Sequence, residues 1–145
     1  KLGKKKQAYA AYKNILPPYR GLNPDLYKAE PYVTPGNVDG PDSPHFGRGG
    51  FTWYTGSSTW SFLVAMEGIC GIIPDWDGLL INPQVPDEWT EFRVTRPYRG
   101  AVYQFAFRRA ATGEEKGLIL DGVKLNSNKI FPNFDGRLHY VDVIF

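Results

Sequence analysis

At 145 residues, with 42% hydrophobic and 15% aromatic side chains, the chain is long enough to bury a core and lies far from compositions that stay disordered. Seventeen basic against fifteen acidic residues leave a net charge of +2, too balanced for the broad positive face that nucleic acid or an anionic membrane demands, so neither is an expected partner. One cysteine, Cys70, and two histidines, His45 and His139, exclude an intramolecular disulfide framework and the usual structural zinc sets; no metal site is expected, and the cytoplasm is the expected location.

The amino terminus KLGKKKQAYAAYKNIL has basic residues but neither an initiating Met nor an apolar core, so it is no signal peptide and reads as the interior of a longer polypeptide. From Lys4 to Leu16, the residues Ala8, Tyr9, Ala11, Tyr12, Ile15 and Leu16 recur at three- and four-residue spacing, which predicts an amphipathic helix stopped by Pro17-Pro18. Tyr19 to Gly50 is rich in Gly and Pro, with turn dipeptides at Asn23-Pro24 and Pro35-Gly36, so its regular structure should be short. A second helix follows in TGSSTWSFLVAMEGICGI. Its expected N-cap is Ser57, Ser58 or Thr59, its stripe Trp60, Leu63, Val64, Met66 and Ile69, and its end Gly71 and Pro74. The apolar stretch Trp60 to Ile73 is broken by Ser61, Glu67, Gly68 and Gly71, so it predicts a buried helix rather than a membrane span.

After Pro74 the period changes to two. Tyr103, Phe105 and Phe107 alternate with Gln104, Ala106 and Arg108; Asp121-Gly122 separates GLIL from VKL as a hairpin signal; His139, Val141, Val143 and Phe145 alternate again. The expected class is α+β: a helical part over residues 1–73, incomplete because two amphipathic helices cannot bury their own stripes, and an antiparallel β-module over 74–145. The helical part either packs on the β-module or ends a larger helical domain.

Nucleophile-elbow, zincin and Walker motifs are absent. The dense region is Gly47 to Trp60, GRGGFTWYTGSSTW. There a Gly-rich loop feeds a hydroxyl-rich helix start, bringing backbone N–H groups and the hydroxyls of Thr55, Ser57, Ser58 and Thr59 to the positive end of a helix dipole. An anion site and an ordinary capped helix both fit that pattern, and Trp53 and Tyr54 suit either sugar stacking or packing. Asp39, Asp42, Asp75 and Asp77 read as turn and capping residues.

The run EPYVTPGNVDGPDSPHFGRGGFTWYTGSSTW (Glu30 to Trp60), followed by EGICGIIPDWDGLLINPQVPDEW (Glu67 to Trp89), resembles the carboxyl-terminal part of the glycoside hydrolase family 94 phosphorylases. That family includes cellobiose, cellodextrin, laminaribiose, chitobiose and oligoglucan phosphorylases, with related domains in cyclic β-1,2-glucan synthases. The resemblance implies late helices of an (α/α)6 catalytic barrel over residues 1–73, followed by a small β-sandwich-like domain over 74–145. It implies an inverting, reversible phosphorolysis of a β-glucosidic bond that yields an α-sugar 1-phosphate, with inorganic phosphate as co-substrate and no cofactor. It places phosphate binding at Thr55, Gly56 and Ser57, and substrate binding at Tyr32, Asn37, Arg48 and Trp53. No segment matches the surroundings of the family's general acid, so no catalytic residue is assigned to this chain and it should be inactive alone.

The implied partners are a β-linked gluco-oligosaccharide, phosphate and the amino-terminal part of the same enzyme, within a homodimer of the whole. Gly36 in place of the cellobiose-type Gln, and the G-P-D-S-P at Gly40 to Pro44, point to an oligoglucan-acting member. Two further readings are a non-catalytic carbohydrate-binding module, suggested by the β-half and its aromatics, and a piece of a cyclic-glucan synthase.

Overall fold

The computed structural model describes residues 3–53 and 56–145, and the chain divides into two compact units, Lys1–Ala65 and Met66–Phe145. The first unit opens with α1 (Lys5–Ile15), which stops where Leu16 turns extended at ψ 130°. Pro17, lacking an N–H and fixed in φ, cannot continue that helix but starts the next, α2 (Pro17–Arg20). No residue of α1 is buried, and Ile15 is 47% exposed. The Asn23-Pro24 pair, expected as a turn, instead opens a one-turn helix, α3 (Pro24–Tyr27). The Asn23 side chain accepts a hydrogen bond from Leu26 N at 3.2 Å, and Pro24 takes the first helical position. This helix sets Tyr27 in the interior of the unit with Val33, and two short strands, β1 (Asn37–Val38) and β2 (Gly49–Gly50), pair antiparallel.

The second long helix differs from expectation in two ways. Its N-cap is Gly56, at φ −80° and ψ 3°, with no side-chain cap bond, because α4 (Ser57–Leu63) already includes the serine expected to cap it. Nor is it buried: no α4 residue is interior, Trp60 is 71% exposed, and the chain passes directly into a π-helical turn, Val64–Ile69, where Ile69 is the buried residue. Gly71 then leaves the helix at φ +71°, a conformation that a side chain would strain.

The second unit contains two sheets. β3 (Ile72–Pro74), β4 (Leu79–Ile81) and β9 (Lys129–Ile130) form a three-stranded antiparallel sheet in the order β3-β4-β9. The other strands, β5 (Glu91–Tyr98), β6 (Ala101–Arg108), β7 (Gly117–Leu120), β8 (Val123–Leu125) and β10 (Leu138–Ile144), form a five-stranded sheet in the order β5-β6-β10-β7-β8. The turns Arg99–Gly100 and Asp121–Gly122 have positive φ at both residues, the geometry that matches the right-handed twist of the strands they join.

The expected all-antiparallel module is corrected here, because β10 runs parallel to β6, with Val141 opposite Phe105. The chain makes the β7–β8 hairpin and the β9 excursion before it returns, and so β10 re-enters the sheet in the direction of β6. The alternation of Tyr103, Phe105 and Phe107 is borne out. All three are at most 2% exposed and share one cluster with Val141, Val143 and Leu118 and with Ile72, Leu79 and Ile130 of the smaller sheet. Phe92 stacks on Phe107 at 4.2 Å between centroids. Each such side chain contributes roughly 1.5–3 kcal/mol by leaving water, so this face dominates the unit's stability.

Candidate functional site

The first unit collects the residues singled out by sequence around the β1–β2 pair. Gly36 N donates to Gly50 O at 3.0 Å and Asp39 N to Arg48 O at 2.9 Å, which carries the GRGG segment alongside Asn37 and Val38. Gly49 lies so close to the buried Tyr27 ring that a Cβ there would come within 2.8 Å of it, so one glycine of this run serves packing. Asn37 Nδ2 reaches Asp39 Oδ1 at 3.5 Å. Arg48 is not free: its Nε lies 3.2 Å from Asp39 Oδ2. That buried oxygen has no aligned hydrogen-bond donor, so its compensation is the charge of the guanidinium.

Beyond Gly50 the backbone is strained. Phe51 and Trp53 adopt φ of 51° and 72°, left-handed conformations that cost about 1–3 kcal/mol each and persist only where the surrounding structure holds them. What the strain achieves is visible at Trp53. Its indole Nε1 donates to Glu30 Oε1 at 3.1 Å, and its ring meets Tyr32 edge-on at 6.3 Å. Both rings stay open, Tyr32 at 73% and Trp53 at 67% exposure. Glu30 has its carboxyl below the usual carboxylate range, through its own backbone N–H, the Trp53 indole and Thr52. The result is an aromatic pair fixed by an ionised carboxylate, with flat faces available to a ligand.

Three residues after Trp53 the chain reaches Gly56 and α4. Among the described residues, no atom other than those of its chain neighbours lies within 4 Å of where a Gly56 Cβ would stand, and Ser57 is the first residue of the helix. Thr55, the remaining expected phosphate ligand, and Tyr54 lie outside the described residues. The structure thus brings Tyr32 and Trp53 together, and places Asn37 on β1 and Arg48 immediately before β2. Sequence reasoning does not find Glu30 as their anchor. The E-P-Y run is the available signal, but its partner is 23 residues away in sequence.

A second polar cluster, also unforeseen, lies in the β-unit. The ring of buried His139 donates from Nδ1 to Asp121 Oδ2 at 2.6 Å and from Nε2 to Asp135 Oδ1 at 3.1 Å, and it stacks on Tyr103. Asp121 first, then Asp135, raises the histidine above its ordinary pKa. The His139 side chain therefore joins the β7–β8 turn to the loop before β10, and both carboxylates favour its charged form. Among the described residues no group of three or more His, Cys, Asp or Glu could hold a metal ion, and no helix is long and apolar enough to cross a membrane.

Comparison with known proteins bears on this geometry. Residues 1–71 match the family model of the glycosyl hydrolase 94 superfamily, catalytic domain. Solabiose phosphorylase of Paenibacillus borealis is 32% identical over 144 residues, 97% of this chain and 19% of that protein. N,N'-diacetylchitobiose phosphorylase of Vibrio furnissii is 31% identical over 118 residues, 81% of this chain and 15% of the relative. Cyclic beta-(1,2)-glucan synthase of Rhizobium meliloti is 33% identical over 122 residues, 77% of this chain and 4% of the relative. The chain thus spans a fifth or less of the length of each of these relatives. Through the family model on its helical unit and phosphorylase relatives that continue along nearly its whole length, the chain belongs to glycoside hydrolase family 94.

Proposed function

We propose that this chain is the carboxyl-terminal part of an inverting β-glucoside or β-oligoglucan phosphorylase. Residues 1–73 would supply the last helices of an (α/α)6 barrel with its phosphate loop, and 74–145 a carboxyl-terminal β-sandwich-like domain. The observation that carries the reading is the strained Phe51–Trp53 segment. It fixes an open Tyr32–Trp53 aromatic pair on Glu30 and leads, within three residues, to Gly56 and the start of α4. Aromatic faces suit the C–H surface of a glucosyl unit, and backbone N–H groups at a helix start suit phosphate.

In this reaction an oxygen of inorganic phosphate attacks the anomeric carbon from the face opposite the leaving sugar. The glycosidic C–O bond breaks as a carboxylic acid protonates the departing oxygen, and an α-sugar 1-phosphate is released. Phosphate takes the place of the water in an inverting hydrolase, so one carboxylic acid suffices. Thr55, Gly56 and Ser57 bind phosphate; Tyr32, Asn37, Arg48 and Trp53 line the sugar side. The general acid belongs to a part of the protein outside this chain, which is inactive alone and works within the complete enzyme, a cytoplasmic homodimer.

The test is kinetic. In the complete enzyme, Thr55→Val or Ser57→Ala raises the KM for phosphate by about tenfold to a hundredfold, the loss of one charge-assisted hydrogen bond, and leaves the KM for the glucan nearly unchanged. Unchanged phosphate dependence in both variants refutes the assignment. A synthase segment, the reading favoured by the glucan-synthase relative, predicts release of a cyclic product instead of sugar 1-phosphate.

A further inference from the structure

The β-unit carries a feature that the catalytic reading does not use. The β3–β4 turn, Asp75-Trp76-Asp77-Gly78, holds an indole that is 92% exposed. An exposed tryptophan on a loose loop would need no account, but this turn is pinned from every side. Asp75 N donates to Gly78 O at 2.8 Å and Trp76 N to Asp75 Oδ1 at 2.8 Å. The Tyr98 hydroxyl donates to Gly78 O at 2.9 Å, and Arg99 Nη2 donates to Trp76 O at 2.9 Å. Lys129 Nζ bridges the two carboxylates, at 2.6 Å from Asp75 and 2.7 Å from Asp77. The same Arg99–Gly100 turn borders a second open ring: Gly100 lies against the Phe134 backbone, and Phe134 is 68% exposed.

We infer that Trp76 and Phe134, which both border the Arg99–Gly100 turn, form a binding site of the β-unit for a β-linked gluco-oligosaccharide. A preorganised platform loses little freedom on binding, so a flat ligand gains from it directly. The rim of the indole selects the ligand. Asp75, Asp77 and Arg99 offer acceptors and donors around an apolar face, the pattern that meets a pyranose ring, whose C–H face is ringed by hydroxyls. Lys129 and Arg99 balance the charges of Asp75 and Asp77, so the rim carries no net charge to attract nucleic acid or anionic lipid and suits an uncharged ligand. A hydrophobic protein partner would desolvate the Asp75, Asp77, Lys129 and Arg99 charges around the ring. Two open rings bordering one turn favour a chain of sugars over a single unit. The choice of glucan rests on the proposed function; the existence of the site does not.

The test follows the indole N–H resonances of the protein's tryptophans by NMR, without phosphate, during titration with sophorose, its tetrasaccharide, and the laminari- and cello- counterparts. The Trp76 resonance should move with a tetrasaccharide at concentrations up to about 10 mM. The tetrasaccharide should bind at least about fivefold more tightly than the disaccharide, as expected when a second contact becomes intramolecular. Trp76→Ala should abolish binding, Trp76→Phe should retain part of it, and Phe134→Ala should lower tetrasaccharide affinity to the disaccharide level. Because the side chain is exposed, Trp76→Ala keeps a wild-type spectrum elsewhere. The inference is overturned if no glucan moves the Trp76 resonance, if the shift is confined to Trp53 or Trp60, or if Trp76→Ala binds as well as wild type. Phosphorolysis of a disaccharide by the complete Trp76→Ala enzyme stays at the wild-type rate, so loss of this site and loss of the catalytic reading are separate results.

Discussion

Gly56→Ala separates a phosphate loop from an ordinary helix start, because the structure makes the substitution nearly neutral for folding. The residue sits at φ −80° and ψ 3°, which any L-amino acid adopts, and among the described residues no atom beyond its chain neighbours lies within 4 Å of where its Cβ would stand. As an N-cap, alanine is worse than glycine by about 0.5–1 kcal/mol. Against this, removing a glycine from the unfolded chain contributes about 0.4–1 kcal/mol of stability. The two nearly cancel, so the melting temperature should stay within a few degrees of wild type. Phosphate binding has no such compensation. A methyl group on the face that backbone N–H groups turn to the anion removes at least one charge-assisted hydrogen bond, about 1.5–3 kcal/mol, or roughly tenfold to a hundredfold in the phosphate KM. Initial rates against phosphate at saturating glucan, beside a thermal melt, provide both readouts. Wild-type phosphate dependence in a folded Gly56→Ala enzyme would refute the loop assignment.

The β-unit supports two further expectations, and the first unit a third. Phe105→Asp places an unpaired carboxylate at a fully buried position and should destabilise by several kcal/mol in urea titrations, whereas Gln104→Asp on the opposite face should change stability by about 0.5 kcal/mol or less; equal effects would contradict the period-two face. The His139 clamp should make stability depend on pH. Its folded pKa is raised, so its contribution is complete below about pH 6.5 and fades as pH rises through the raised value, while Asp121 and Asp135, both held low, lose theirs only as pH falls below about 4. Melts from acid to alkaline pH should therefore show His139→Gln flattening the alkaline decline, and identical slopes would remove the clamp. In the first unit, Trp53→Phe deletes the indole donor to Glu30 while keeping a ring, so the Glu30 carboxyl should titrate closer to its ordinary value; an unmoved carboxyl resonance would mean that the bond does not form in solution.

Elements whose stabilisation is local were legible in the sequence. α1 follows from its stripe and Pro17, the β7–β8 hairpin from Asp121-Gly122, and the buried face of β6 from strict alternation through Phe107. Elements that depend on distant partners were not. β5 escaped because Arg96 interrupts the apolar alternation of Phe92, Val94 and Tyr98, and β3, β4 and β9 are too short to show a period. The parallel entry of β10 depends on the path of the chain through β7, β8 and β9, which no local pattern encodes. The exposure of Trp60 on α4 likewise follows from what covers a helix rather than from the helix itself. At the candidate site, the residue types were readable in EPYV and TWYTG, but the Glu30–Trp53 bond and the Asp39–Arg48 pair span 23 and 9 residues and emerge only from the loop's fold.

In the proposed function this chain completes a phosphorolytic active site. The most direct measurement is phosphorus and proton NMR of the complete protein incubated with a β-linked oligoglucan, with and without inorganic phosphate. The account predicts an α-configured sugar 1-phosphate that forms only when phosphate is present, at a rate that falls in Ser57→Ala and recovers at high phosphate. Release of free sugar at the same rate in the absence of phosphate, or a β-configured phosphate product, would contradict it.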